Sequence, residues 1–264
     1  MSLKITERIT SRKNPTVAEA SKLRLRKERE ETGLFPIEGI KLFDEAVNAG
    51  AEIKSVFVTE AALEKYGASI EKSGCEKLFL LADEVYEKLT EESAPQGIFA
   101  AVKFFTVPTG NASREPLVLV LDGVADPGNL GTIVRCADAL GVECVYIGAD
   151  GADIYNPKTV RACMGSLFRV RTERCDAAEK IGELRRGGFS VYAATLDERS
   201  RDVRSVDLSG KIGFVIGNEG HGVSPRVVSA CDGSVIIPMK SGVQSLNAAV
   251  AASILMWEAA KSRL

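Results

Sequence analysis

The chain is predicted to be an α/β protein of two domains, and three observations carry that reading. Short apolar runs alternate with helical segments along nearly all of its 264 residues. One stretch, Val107–Pro116 (VPTGNASREP), interrupts the alternation with Pro, Gly, Ser and Asn and almost no apolar content. The run that follows, Leu117–Leu121 (LVLVL), is continuously apolar, as a strand covered on both faces of a parallel sheet must be. These place a first domain at 1–106, a linker at 107–116 and a second domain at 117–264.

The N-terminal thirty residues carry nine Lys or Arg against four Glu. Pro15 suits a first helical turn, and Thr16–Glu31 reads as a polar, basic helix (15–31 with its proline) stopped near Gly33. Its apolar positions, Val17, Ala20 and Leu23, recur at three-residue spacing, so one side packs while Arg24, Lys27 and their neighbours face water. Such a face is either simply solvated or a footprint for phosphates. Strands follow at Leu34–Ile37, Lys54–Val58, Leu78–Leu81 and Gly97–Val102, with helices at Gly39–Asn48, Ala61–Lys72 and Asp83–Thr90. Strands separated by helices of this length make a small α/β sandwich.

In the second half, strands are expected at Leu117–Leu121, Cys144–Ile147, Ser190–Leu196, Gly213–Ile216 and Ser234–Ile237. Helices are expected at Asn129–Leu140, Pro157–Leu167, Lys180–Arg186, Pro225–Ala230 and Ser245–Ala260. An open sheet of parallel character results, with ligand sites beyond the carboxyl ends of its strands.

Composition narrows the chemistry. With 45% hydrophobic and 27% charged residues the chain is an ordinary globular one. A chain of this length buries roughly 70–75% of its unfolded surface, so neither metal nor disulfide is needed to hold it together. No apolar run approaches the ~20 residues of a membrane span, and Met1–Arg12 has no signal-peptide core. None of the six cysteines is spaced C-x-x-C, which fits reduced thiols in a cytoplasmic protein. A single histidine, His221, argues against zinc chemistry and triad hydrolysis. The net charge of −2 excludes a uniformly basic coat but not a basic patch.

Three loops after strands hold the candidate chemistry. In Asp122–Arg135 (DGVADPGNLGTIVR), Gly128 and Gly131 allow close backbone approach, Asn129 is a helix-capping type, and the helix start offers free N–H groups to an anion. Arg135 leans back toward that end. This loop reads equally as a plain Pro-Gly turn. In Gly217–Ser224 (GNEGHGVS), three glycines in six residues imply close backbone approach. Glu219 there either faces a ligand or is a solvated carboxylate, His221 reads as a surface residue, and Ser224 caps the helix opened by Pro225. In Ile237–Asn247 (IPMKSGVQSLN), Ser245 and Asn247 are N-cap types for a helix that is small and apolar all round. Such a helix packs in a tight interior or against a second subunit.

In this order the loops resemble the three signature motifs of the SpoU (TrmH-type) RNA ribose 2′-O-methyltransferases. N-x-G-x-x-x-R matches Asn129, Gly131 and Arg135. The second motif matches Gly217, Asn218, Glu219 and Gly222. The third matches Ile237, Pro238, Met239, Ser245, Leu246 and Asn247. The resemblance covers residues 117–264 closely. More loosely, residues 1–106 resemble the L30e-like substrate-binding domain that often precedes this catalytic domain.

The resemblance implies a SPOUT-type parallel-sheet domain with a C-terminal trefoil knot, a rare exception to unthreaded chains. It implies a homodimer with the active site near the subunit interface, and S-adenosylmethionine as cofactor without a metal. Backbone groups of Thr195, Leu196, Gly217, Asn218, Glu219, Gly222, Ile237, Met239, Ser245 and Leu246 would hold the cofactor. Arg135, Asn129, Glu219, Ser245 and Asn247 would form the catalytic set. The resemblance gives Arg135 a central role, either as the base itself or, since a guanidinium is a very poor base, as a contact to the nearby phosphate and to developing oxyanion charge. Arg12, Lys13, Arg24, Arg26 and Lys27 then read as contacts to a structured RNA, ribosomal RNA ahead of transfer RNA by analogy with the first domain. The competing readings are a tRNA 2′-O-methyltransferase, a non-catalytic RNA-binding or ribosome-assembly protein, and a base-nitrogen methyltransferase. A dinucleotide oxidoreductase is disfavoured, since G-x-G-x-x-G follows the first strand of neither domain.

Overall fold

The structure, a computed structural model, describes residues 4–108, 114–240 and 244–263. In chain order the first half holds β1 (Glu7–Ile9), α1 (Pro15–Lys22), α2 (Arg26–Thr32), β2 (Leu34–Glu38), α3 (Ile40–Asn48), β3 (Ile53–Thr59), α4 (Glu60–Ser73), β4 (Lys77–Leu81), α5 (Asp83–Tyr86) and β5 (Ile98–Lys103). The second holds β6 (Leu117–Asp122), α6 (Pro127–Ala139), β7 (Cys144–Gly148), α7 (Pro157–Cys163), β8 (Arg171–Cys175) and α8 (Ala177–Arg186). It continues with β9 (Ser190–Ala194), β10 (Arg201–Asp202), β11 (Ile212–Gly217), α9 (Pro225–Ala230), β12 (Gly233–Ile236) and α10 (Ala248–Ala260).

Two compact units form, Met1–Thr106 with Tyr155–Phe168, and Val107–Ile154 with Arg169–Leu264. The first contains a mixed five-stranded sheet in the order β1-β4-β3-β5-β2. Its core is aromatic: Phe57 stacks on Phe79 at 4.9 Å and meets Phe99 edge-on at 6.0 Å, with Val17, Val85 and Leu89 closing around them. The stretch 155–168, read from sequence as part of the second half, folds with this unit for an aromatic reason. The Tyr155 ring lies parallel to Phe104 at 4.2 Å and touches Phe35 at 4.7 Å. Its hydroxyl donates to the Phe105 carbonyl and accepts from the Phe105 N–H.

The basic helix expected over 15–31 is instead two helices. The chain breaks at Leu23–Leu25, where Leu25 turns extended and buried Leu23 packs inward. Arg29, only 1% exposed, reaches back and donates from Nη1 to the carbonyls of Leu23 (2.9 Å) and Arg24 (2.7 Å), which the break removes from helical bonding. A three-residue apolar spacing cannot reveal such a break. Three strands went unseen in the sequence, β1 (ERI), β8 (RTERC) and β10 (RD), and each lies at a sheet edge. Edge strands carry charge and lack the apolar run that marks a buried strand.

The second unit is a fully parallel seven-stranded sheet in the order β10-β12-β9-β11-β6-β7-β8. Side chains alternate along β6: Val118 and Val120 pack with α8 and α9 residues Ile181, Leu184 and Val227. α6 and α10 pack against each other, and α10 also lies on β6 and β11. Leu130, Ile133, Val134, Ala252, Leu255 and Met256 are accordingly buried. Each of the larger side chains removed from water contributes roughly 1.5–3 kcal/mol, so the continuous LVLVL run is explained by two covered faces. The described end of the expected linker is held in this unit, since the Pro116 carbonyl accepts from Ile212 N at 3.0 Å; residues 109–113 lie outside the described residues.

All six cysteines are free. Burial pushes the thiols of Cys144, Cys163 and Cys231 up to about 12 and that of Cys175 up to about 11. At neutral pH these four should react with a thiol reagent at least about ten-fold more slowly in the native protein than in denaturant, since only the thiolate reacts. Mass mapping of labelled peptides checks this; native labelling at unfolded rates would refute the burial.

Candidate active site

At the carboxyl end of the parallel sheet the loops after β9, β11 and β12 meet around one cavity of about 470 Å³, and the loop after β6 joins them through Glu219 and Asn218. That volume suits a nucleoside-sized ligand. Every residue the sequence assigned to cofactor binding lines it: Thr195, Leu196, Gly217, Asn218, Glu219, Gly222, Ile237, Met239, Ser245 and Leu246. Further lining residues outside that set include Ala194, Gly220, His221 and Gln244 in the loops and Ile216, Val235 and Ala248 on the elements that flank them. Thr195 and Leu196 lie in the loop because β9 ends at Ala194, two residues before the expected strand end.

The loop after β11 doubles back on itself. Asn218 N donates to Gly222 O at 3.0 Å and Gly222 N to Asn218 O at 2.9 Å, leaving Glu219, Gly220 and His221 at the tip. Gly217 is obligatory here, since a Cβ would sit 2.1 Å from the Gly222 carbonyl carbon. The Asn218 side chain works inward: its Nδ2 donates to Gly123 O at 2.8 Å, and its Oδ1 accepts from the N–H groups of Gly220 and His221. Asp122, which the sequence did not single out, accepts from Ser224 N at 2.7 Å and ties the far end of this loop to β6. Ser224 stands at the N-cap of α9 but makes no side-chain cap bond.

Three of the assigned polar residues form one chain of hydrogen bonds. The Glu219 carboxylate accepts from Asn129 Nδ2 at 2.8 Å, from Ala125 N at 3.3 Å and from Asp126 N at 3.4 Å. Asn129 Oδ1 accepts from Asn247 Nδ2 at 2.9 Å, and Asn247 Oδ1 caps α10 through Ala249 N and Val250 N. The direction of both amides is therefore fixed, and each keeps one amide hydrogen for a ligand. Desolvation pushes the Glu219 carboxyl up, but the Asn129 amide and the backbone N–H groups outweigh it and hold the group below its ordinary value of 4.5.

Two expectations change. Asn129 does not cap α6; Asp126 does, its side chain accepting from Asn129 N at 2.8 Å. Protein carboxylates also occupy the approach to the helix: Glu219 takes the N–H groups of Ala125 and Asp126, just before α6, and Asp126 takes that of Asn129. Arg135 stands apart from this chain, exposed on α6 with no hydrogen bond or ion pair among the described residues. Ser245 is exposed at the cavity and precedes the cap rather than making it.

The basic set of the first unit does not form a bare cationic face. Arg26 pairs with Glu30 at 2.7 Å, Lys27 with Glu31 at 3.7 Å, Arg24 with Glu91 at 3.5 Å and Arg12 with Glu87 at 3.6 Å. Arg24 also donates to the carbonyls of Lys88 and Thr90. Lys13 is exposed. No group of three His, Cys, Asp or Glu able to hold a metal occurs among the described residues, and none of their helices is long and apolar enough to cross a membrane.

A parallel sheet with a loop-walled cavity and a Glu–Asn–Asn chain at its rim is the site of a SpoU-type methyltransferase, and the chain belongs to that family. Residues 116–257 match the SpoU rRNA Methylase family, and residues 14–100 match the MRM3-like substrate binding domain. The chain is 33% identical to the 23S rRNA (guanosine(2553)-2′-O)-methyltransferase RlmP of Bacillus subtilis, over 95% of this chain and 98% of that protein. It is 30% identical to a 23S rRNA (uridine(2479)-2′-O)-methyltransferase of Streptomyces viridochromogenes, over 97% and 93%. An AdoMet-bound rRNA methyltransferase from Sinorhizobium meliloti superposes with a TM-score of 0.87 at 30% identity, over 97% of this chain and 98% of that one. The protein is an RNA 2′-O-ribose methyltransferase that uses S-adenosylmethionine.

Two substitutions test the geometry. Gly217→Ala cannot be accommodated without opening the Asn218–Gly222 pairing, so S-adenosylmethionine affinity measured by calorimetry should fall at least about ten-fold, or 1.4 kcal/mol. Asn129→Asp sets a second carboxylate against Glu219, which raises its pKa in place of the lowering that the amide provides. Methyl transfer by this variant should be weak at neutral pH and rise as the pH falls toward the ordinary carboxylate range, where one of the two groups takes a proton. The wild-type rate should show no such rise, because Asn129 offers Glu219 an amide donor and no second carboxylate to relieve. A variant with the wild-type pH profile would break the assignment.

Proposed function

We propose that the enzyme methylates a ribose 2′-hydroxyl of ribosomal RNA, with the Glu219–Asn129–Asn247 chain and Arg135 as its polar machinery. The single observation that carries the reading is the joining of that chain to the rim of the backbone-lined cavity through Glu219. Ribosomal RNA is favoured because the relatives compared above are named for 23S rRNA and the first unit matches a substrate-binding domain.

The cavity suits the adenosine of S-adenosylmethionine: Ile216, Val235, Ile237 and Leu246 offer apolar walls for a ring, and loop backbone offers the polar groups. When bound, the cofactor supplies a methyl group already activated by its cationic sulfur. The protein's task is then alignment. Glu219 spends its carboxylate on Asn129, Ala125 and Asp126, so it acts by fixing amides rather than as a base. The remaining amide hydrogens of Asn129 and Asn247 hold ribose oxygens, and Ser245 donates or accepts beside them. Arg135, with its guanidinium uncommitted among the described residues, binds the adjacent phosphate and stabilises negative charge growing on the 2′-oxygen.

Arg12, Lys13, Arg24, Arg26 and Lys27 contact phosphates. Exposed ion pairs such as Arg26–Glu30 contribute only about 0.3–0.5 kcal/mol, so a phosphate can replace the carboxylate at small cost. The working form is a cytoplasmic homodimer, and the chain is threaded as a trefoil knot through the loops around the cavity. Val250 (47% exposed) and Trp257 (51% exposed) support the dimer, because they lie seven residues apart on one stripe of the otherwise buried α10. Domain limits of 1–106 and 117–264 fit the extents of the two family matches, with 155–168 completing the first unit.

Transfer from labelled S-adenosylmethionine to bacterial RNA tests the function. Wild type should yield a 2′-O-methyl nucleoside in the large ribosomal RNA, and Arg135→Ala should lower the rate by about 10²–10³ with cofactor binding kept, the scale of one lost oxyanion contact. Label in tRNA alone would favour the tRNA reading, and absence of label with cofactor bound would overturn catalysis by the chain on its own. Light scattering should give twice the monomer mass, and Trp257→Glu should return it to monomer.

A further inference from the structure

One arginine outside every motif is bound as tightly to the active-site scaffold as any residue within it. Arg174, on the edge strand β8, directs its guanidinium across the end of the sheet into the turn that follows β7. Nη1 donates to the carbonyls of Gly148 (3.3 Å) and Ala149 (3.1 Å), and Nη2 to those of Gly151 (3.0 Å) and Ala152 (2.7 Å). Four carbonyls of a single turn thus converge on one cation. Without it, their dipoles point at one another and the arrangement is repulsive.

That turn is a direct support of the catalytic loop. Gly148 rests on the end of β6 so closely that a Cβ would lie 2.8 Å from the Leu121 carbonyl oxygen. Ala152 N donates to Val124 O at 2.9 Å. Val124 immediately precedes Ala125 and Asp126, whose N–H groups hold the Glu219 carboxylate. A continuous path of bonded backbone therefore leads from Arg174 through 148–152 to the residue that orients Asn129.

We infer that Arg174 is a positioning residue for methyl transfer, acting through the 148–152 turn on the Val124–Asp126 segment and so on Glu219 and Asn129. Arginine is required by geometry. Its four terminal N–H groups form a planar fork that matches four carbonyls, whereas the lysine ammonium has three donors around one point. The inference rests on the assignment of Glu219 and Asn129 to the catalytic machinery.

The test is steady-state methyl transfer by Arg174→Ala and Arg174→Gln, with Arg171→Ala as a control on the same strand, where the side chain pairs with its neighbour Glu173 and reaches no carbonyl of the 148–152 turn among the described residues. Loss of the clamp should lower kcat by about ten-fold or more, since small displacements of positioned groups carry penalties of that size. KM for RNA should change less than about two-fold, because no RNA contact is removed. Added guanidinium ion at millimolar concentration should restore at least a third of the lost kcat in Arg174→Ala and leave the wild type unstimulated. Hydrogen exchange at Ala125 and Asp126 should quicken in both Arg174 variants and not in Arg171→Ala. This readout needs no RNA, so it reports on the clamp even if the catalytic assignment fails. Unchanged exchange at those amides would overturn the path, as would wild-type kcat in both folded variants. Equal losses in Arg171→Ala would reduce the effect to general weakening of the edge strand and overturn the inference as well.

Discussion

The arrangement of the active site depends on one carboxylate placed where a helix begins. Glu219, at the tip of the loop after β11, takes the two backbone N–H groups of Ala125 and Asp126, which lead into α6, together with the Asn129 amide. An anion at a helix N-terminus is favoured by the helix dipole and by donors that have no helical partner. Because Asn129 in turn accepts from Asn247, the cap of α10, this carboxylate registers two loops and two helices against each other.

Parallel pairing is what makes such a meeting possible. With β9, β11, β6 and β12 all running the same way, their following loops emerge at one end of the sheet and converge without long excursions. Ties between neighbouring strand ends then finish the job: Asp122 to Ser224, Asn218 to Gly123, Ala152 to Val124. Each joins a side chain or amide to backbone, so the loops are held by groups that carry little sequence signature of their own. A cavity walled by backbone, glycine and small apolar residues can bind a nucleoside-like cofactor without charged side chains, which is why the acidic and basic residues of this chain lie mostly elsewhere.

The first unit applies a comparable economy to a different problem. The elbow between α1 and α2 exposes helix-end carbonyls, and buried Arg29 satisfies two of them. Its charge is thereby removed from the basic surface counted in the sequence. The Tyr155 hydroxyl, bonded in both directions to Phe105, anchors a segment remote in sequence to the residues that follow β5.

By itself the sequence determined the α/β class, the parallel character of the second sheet and the three motif loops, two of which line the cavity while the other is bonded to its rim. These depend on local signals: runs of strand length, periodic helices, glycines where backbone must come close, and the motif order. It did not determine which polar group meets which. Asn129 looked like a cap because its residue type favours one, yet Asp126 three residues earlier took that role and released Asn129 to Glu219, ninety positions away. The break in the basic helix, the edge strands β1, β8 and β10, and the placement of 155–168 with the first unit were likewise decided by tertiary contacts. Polar partnerships across long sequence separations have no period and no composition, so only the folded backbone, by bringing strand ends together, could select them.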